Sequence, residues 1–151
     1  MLTIADQSCS LGVYHALGVK SISMFANLEV GGYAWARFGV LPANWIETRK
    51  TILSNLDAMQ NGPHRYVAKD ADGSSHEVKV APISIDQEKS LRALLASDDP
   101  KTLWAIADMK LGDRSLGRDI LLGSGWEGAM ALDDSMARSR LGKYIASGGK
   151  Q

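Results

Sequence analysis

Cysteine is almost missing from this chain: Cys9 is the only one in 151 residues. One thiol makes neither an internal disulfide nor a thiolate metal cluster, which excludes a disulfide-stapled scaffold and fits a reducing compartment. Histidine is nearly as sparse. His15, His64 and His76 are scattered, and no H-x-x-x-H or H-E-x-x-H spacing puts two imidazoles on one helix face, so the sequence carries no local metal motif. A surplus of charge is lacking as well, because 17 basic and 17 acidic residues cancel. Holding DNA or RNA through an overall basic excess is thereby excluded. Only a segregated basic face could do it, and nucleic acid is not the expected partner. No segment nears the ~18 consecutive apolar residues of a membrane span. The start, Met1-Leu2-Thr3-Ile4-Ala5-Asp6, lacks the basic-then-apolar pattern of a secretory leader. These absences lead to the expectation of a cytoplasmic protein with no membrane partner.

What remains is ordinary globular composition, 45% hydrophobic and 23% charged. A chain of this length buries roughly 70% of its unfolded surface, enough for one core without staples. No internal repeat, long linker or low-complexity tract divides it. The expectation is a helix-rich α/β (α+β) single domain over residues 1–146 with a small sheet of three to four strands, then a frayed polar tail over 147–151.

Spacing places the elements. Residues 4–17 carry Ile4, Leu11, Tyr14 and Leu17 at irregular helical intervals, closed by Gly18 as a C-cap. Ile22, Met24 and Ala26 alternate with Ser21 and Ser23, the period of a strand. After the Gly31-Gly32 break, Tyr33 to Phe38 reads as a short helix stopped by Gly39. The clearest helix is 45–60, with Asn44 as N-cap, Glu47 at the capping-box position, and Trp45, Ile52, Leu56 and Met59 on one face. Runs 65–69 and 76–81 flank turn residues and predict a hairpin. Ser84 with Gln87 opens a helix to about Ala96, Asp99-Pro100 opens another, and Ser115–Leu122 is a third. A short strand is predicted over Ala129–Leu132, and Asp134 caps a last helix through Ala146.

Several local patterns have competing meanings. Gly123-Ser124-Gly125-Trp126-Glu127-Gly128 matches a dinucleotide fingerprint letter for letter. That loop must leave a strand and enter a helix, and here the order is reversed, so it reads as a glycine-rich connection. Asp70-Ala71-Asp72-Gly73 lacks the third oxygen ligand and the distant glutamate of a calcium loop, and reads as a hairpin turn. No G-x-S-x-G nucleophile elbow is present. Arg138, Arg140 and Lys143 follow Asp133 and Asp134, as a helix dipole favours, so they read as a solvated helix face, with a binding patch as the alternative. Trp45 and Trp104 lie on apolar faces and belong to the core, whereas Trp35 and Trp126 stand beside glycines. Tyr33 and Arg37, four residues apart, share a helix face opposite Trp35. Trp35 would anchor that helix, leaving a hydroxyl and a guanidinium together, a pair suited to a carboxylate or phosphate.

Two segments, Leu17-Gly18-Val19-Lys20-Ser21-Ile22 through Asn27 and Gly31-Gly32-Tyr33-Ala34-Trp35-Ala36-Arg37-Phe38-Gly39-Val40, resemble a GNAT-type N-acetyltransferase fold. In that family a helix with a Gly-Val corner leads to a strand, an Asn, and a short helix ending in Gly-Phe. The Tyr-x-Trp-x-Arg-x-Gly variant is similar to modules of phage head and toxin-associated proteins. Leu103 to Asp108, Gly117-Arg118, Trp126, Leu132-Asp133-Asp134 and Leu141 to Ile145 resemble the tail of such modules. The resemblance implies the C-terminal half of a GNAT fold. The family's Q/R-x-x-G-x-G/A loop, which cradles the acetyl-CoA pyrophosphate on a helix N-terminus, has no counterpart in Met1–Ile4. Trp35 stands where the family's usual acid is a tyrosine. The implied protein is a truncated or catalytically degenerate module acting by binding or assembly, with a protein partner in a phage or toxin assembly and a virion location if phage-encoded. The alternative is an acyl-CoA-dependent N-acyltransferase, with acetyl-CoA as cofactor, Tyr33 as candidate catalytic residue, and Asn27, Tyr33 and Arg37 lining the acceptor site. A further alternative is a small nucleic-acid-associated protein using Arg138, Arg140 and Lys143.

Overall fold

The computed structural model describes residues 12–26, 31–62, 64–69 and 72–147. Expectations for residues 4–11, Asn27, Asp70-Ala71 and the tail from 148 lie outside these residues. A helical segment over 12–16 ends in the turn at Gly18. The alternating run becomes strand β1 (Ser21–Ala26), and the chain continues through helix α1 (Gly31–Phe38), strand β2 (Leu41–Pro42) and helix α2 (Trp45–Asn61). Strands β3 (His64–Lys69) and β4 (Ser75–Val80) form the hairpin, followed by α3 (Ile85–Leu95) and α4 (Thr102–Ala107). A miniature ribbon, β5 (Lys110–Leu111) and β6 (Arg114–Ser115), leads into α5 (Leu116–Leu121), strand β7 (Trp126–Ala131) and helix α6 (Ser135–Ala146). The fold is mixed α/β with small antiparallel sheets. Among the described residues no helix is long and apolar enough to cross a membrane.

The main sheet has the order β1-β7-β2, so the last strand in sequence lies between the first two. Pairing Ile22 with Met130, Met24 with Gly128 and Ala26 with Trp126 sends these side chains to one face, because partners across a ladder point the same way. Ala26, Met130 and Trp126 are buried there, while Ser21, Ser23 and Phe25 look outward.

Helix α1 packs against α4, α5 and α6, and α2 against α3 and α5. Ala36, Ile52, Leu56, Leu91, Leu103, Ile106, Leu116 and Ile120 fill the shared core. Two indoles pin the layers. Trp45 Nε1 donates to Ser97 O at 2.9 Å, and Trp104 Nε1 donates to Val40 O at 3.1 Å. The caps follow sequence. Asn44 accepts from Glu47 N at 3.2 Å, but the Glu47 carboxylate turns to Lys50 at 2.7 Å, so only half of that capping box forms. Ser84 and Gln87 make the complete box, and Asp134 accepts from Met136 N and Ala137 N. Helix α4 begins at Thr102, later than Asp99-Pro100 suggested. The stretch before it is bonded i to i+3, with Leu103 N to Pro100 O and Trp104 N to Lys101 O, a tighter winding than an α-helix.

Gly39 ends α1 in a Schellman motif: Gly39 N reaches Ala36 O and Val40 N reaches Trp35 O. Its φ of +96° is a conformation side-chain-bearing residues avoid, and a Cβ there would lie 2.8 Å from Ala137 O of α6. The same bonding recurs at Gly18, where Val19 N reaches Tyr14 O. The apolar residues of that N-terminal segment nevertheless face water, with Leu17 72% exposed.

Candidate functional site

Arg37 leaves the last turn of α1, and its Nη1 donates to Tyr33 Oη at 2.8 Å. The guanidinium also sits 5.6 Å from the Tyr33 ring centroid, a favourable cation–π separation. Tyr33 Oη lies 3.2 Å from Ser115 Oγ at the end of β6. The shared face read from the four-residue spacing is therefore a hydrogen-bonded pair, held from outside its helix by Ser115.

Trp35 points elsewhere. It is half-buried, packs against the core and meets Phe38 edge-on with centroids 5.4 Å apart. Phe38 packs in turn on Tyr144 of α6 at 3.8 Å. The Gly31-Gly32 break permits close approach, but the visitor is the chain's own Trp126: a Cβ on Gly32 would run into its Nε1 and lie 2.6 Å from Ser124 Oγ. That indole N–H is buried without an acceptor among the described residues.

On the other side of Arg37 stands Asp108, just past α4. Arg140 of α6 grips it with both terminal nitrogens, at 2.7 and 2.9 Å, the bidentate fork that matches a carboxylate. Arg37 Nε is 3.9 Å from the same carboxylate. Arg140 lies 5.4 Å from the Trp104 ring centroid, and its Nε is buried without a partner among the described residues.

Two hollows meet at Arg37. One, of about 240 Å³, is lined by Arg37, Asp108, Arg140, Lys143 and Tyr144. The other, of about 470 Å³, is lined by Tyr33, Arg37, Lys110, Asp113, Ser115 and Arg118. Together they hold five cations and two carboxylates on a chain of zero formal charge. Among the described residues, Lys110, Arg118 and Lys143 form no ion pair.

Tyr33 and Arg37 are thus brought together, and Asn27 lies outside the described residues. The basic cluster of α6 divides. Arg138 donates to Leu132 O at 2.9 Å, whereas Arg140 and Lys143 face the cleft. Asp108, Lys110 and Arg118 were not singled out by sequence as site residues. Asp108 follows α4, Lys110 opens β5 and Arg118 lies inside α5, and no local pattern ties them to Tyr33 and Arg37. Among the described residues no group of three or more His, Cys, Asp or Glu could hold a metal ion. Comparisons of the chain with protein-family models, curated proteins and solved structures give no match.

Proposed function

We propose that this chain is a binding module, of GNAT-like descent and without acetyl transfer, that holds an anionic group against Tyr33 and Arg37. The observation that carries the reading is the concentration of cations around one guanidinium–phenol pair in a neutral chain. A partly desolvated guanidinium bound to a phenol is preorganised, so an incoming carboxylate or phosphate gains charge-assisted hydrogen bonds with little side-chain ordering left to do. The descent is proposed from the sequence resemblance over residues 17–40.

The acyltransferase reading has one observation in its favour. Because Tyr33 Oη accepts from Arg37, its own proton can be donated, to Ser115 Oγ or to a substrate, as an acid must. Thermal melting separates the two readings. Inorganic phosphate should raise the melting temperature of the wild-type chain saturably, and a ligand at ~100 times its Kd adds about 2.7 kcal/mol. Arg37→Ala should abolish the shift and Tyr33→Phe should weaken it. Coenzyme A carries phosphates of its own, so the acetyl group is what discriminates: a saturable shift with acetyl-CoA that free coenzyme A does not give would favour the enzyme. A phosphate shift that survives in Arg37→Ala refutes the site.

A further inference from the structure

Resting on the anion-binding reading, we infer that the cleft takes two adjacent phosphates, the diphosphate group of a small molecule, with one phosphate in each hollow and Arg37 between them. Among the described residues Arg37 alone is common to the linings of the two hollows, and its nitrogens are divided accordingly. Nη1 serves the Tyr33 side at 2.8 Å, and Nε faces Asp108 on the Arg140 side at 3.9 Å. A planar fork with donors directed both ways suits neighbouring oxygens on two linked phosphates better than one compact anion.

Each hollow supplies its own further charge. Lys143 stands on one side, and Lys110 and Arg118 on the other, none of them in an ion pair among the described residues. The polar groups other than the carboxylates are donors or hydroxyls, so each phosphate meets at least one cation without displacing an existing bond. A single phosphate would leave half of these charges unmatched.

Two carboxylates argue against a longer polyanion. Asp108 lies in one hollow and Asp113 in the other, both exposed. Among the described residues, further phosphates of a nucleic-acid strand would find no cation in either hollow beyond these five. A diphosphate meets one carboxylate in each hollow, against five cations in the two together. Its outer oxygens compete with Asp108 for Arg140, so binding would loosen the Asp108–Arg140 fork.

The test is calorimetric titration of the whole chain with inorganic phosphate, inorganic diphosphate and a single-stranded oligothymidylate, all at one ionic strength. A second set of charge-assisted bonds predicts that diphosphate binds about tenfold or more tightly than phosphate. Arg37→Lys, which keeps the charge and removes the fork, should erase that preference. Lys143→Ala and Arg118→Ala, both at exposed positions, should each bring diphosphate towards the phosphate value while leaving the melting temperature unchanged. Equal affinity for phosphate and diphosphate overturns the two-phosphate inference and leaves the anion-binding reading standing. Absence of any Arg37-dependent anion binding overturns both. Oligothymidylate binding that tightens with strand length overturns the small-molecule assignment in favour of a nucleic-acid groove.

Discussion

Trp104 joins stability to the site, and replacing it should separate the two. The ring is 3% exposed, its Nε1–H is bonded to Val40 O at 3.1 Å, and Arg140 lies over it. Burying a large aromatic removes ~150–250 Å² from water, worth roughly 4–6 kcal/mol at ~25 cal/mol per Å² as an upper bound. Truncation of buried aromatics typically costs about 3–5 kcal/mol, and that range is expected for Trp104→Ala. Trp104→Phe retains an apolar ring beneath Arg140 but strands the buried Val40 carbonyl, at a cost of about 1–3 kcal/mol. Against a typical total of about 5–15 kcal/mol, the alanine variant should be marginal and the phenylalanine variant folded. Urea unfolding followed by circular dichroism measures both. In the phenylalanine variant the phosphate-induced melting shift should persist, since no cleft donor has been removed. Unchanged urea midpoints for both variants would refute the placement of Trp104 in the core. Loss of phosphate binding in a stable Trp104→Phe chain would show that the indole itself, and not Arg140 above it, belongs to the site.

Three further outcomes follow from the packing. Gly39→Ala must force a side chain into φ +96° with its Cβ 2.8 Å from Ala137 O, so it should cost more than the ~1 kcal/mol typical of a point change; a urea midpoint equal to wild type would contradict the turn geometry. Trp35→Ala should lower the melting temperature clearly while Tyr33→Phe barely moves it, because Trp35 packs on the core and Phe38 whereas among the described residues the Tyr33 hydroxyl bonds to Arg37 and Ser115 alone; equal losses would make Tyr33 structural. Asp134 titrates below the usual aspartate range, chiefly through its bond to Lys101 and then through the amides it caps. A depressed folded pKa means this contribution is present above the unfolded value and lost as pH falls through the folded one. Asp134→Asn should therefore reduce the drop in melting temperature on acidification, and an unaltered pH profile would count against the contact.

Sequence patterning located the long elements well and the short ones poorly, for physical reasons. Helix α2 carries a capping residue and four buried apolar residues at helical spacing, so its signal is redundant. Strands β2, β5 and β6 have two residues each, too few for any period to show; tertiary pairing alone creates them. β7 begins three residues before the strand predicted from sequence because Gly128 looked like a break. It is instead a strand position where the chain crowds Leu41 O, which a Cβ would approach to 2.5 Å. The Tyr33–Arg37 pair was legible because both ends lie on one helix. The Asp108–Arg140 fork, 32 residues apart, was not, since nothing local links the end of α4 to the middle of α6.

Net charge alone leaves the cleft undetermined. A net charge of zero argues against an overall polyanion binder, yet it says nothing of where the carboxylates go. In the folded chain they are spent on bases outside the cleft: Asp98 on Arg49, Glu77 on Arg65, Asp57 and Glu88 on Arg92, Asp134 on Lys101, Asp119 on Arg114. Exposed pairs of this kind add little stability each. Their larger consequence is positional, because each carboxylate fixed elsewhere is one fewer to neutralise the cleft. Lys110, Arg118 and Lys143 are bases left over from that pairing, and they flank the guanidinium that a phenol already orients. A local cationic site in a neutral protein is therefore a product of the fold, and its strength should fall with added salt more slowly than that of a generally basic surface, because few phosphates are engaged at once.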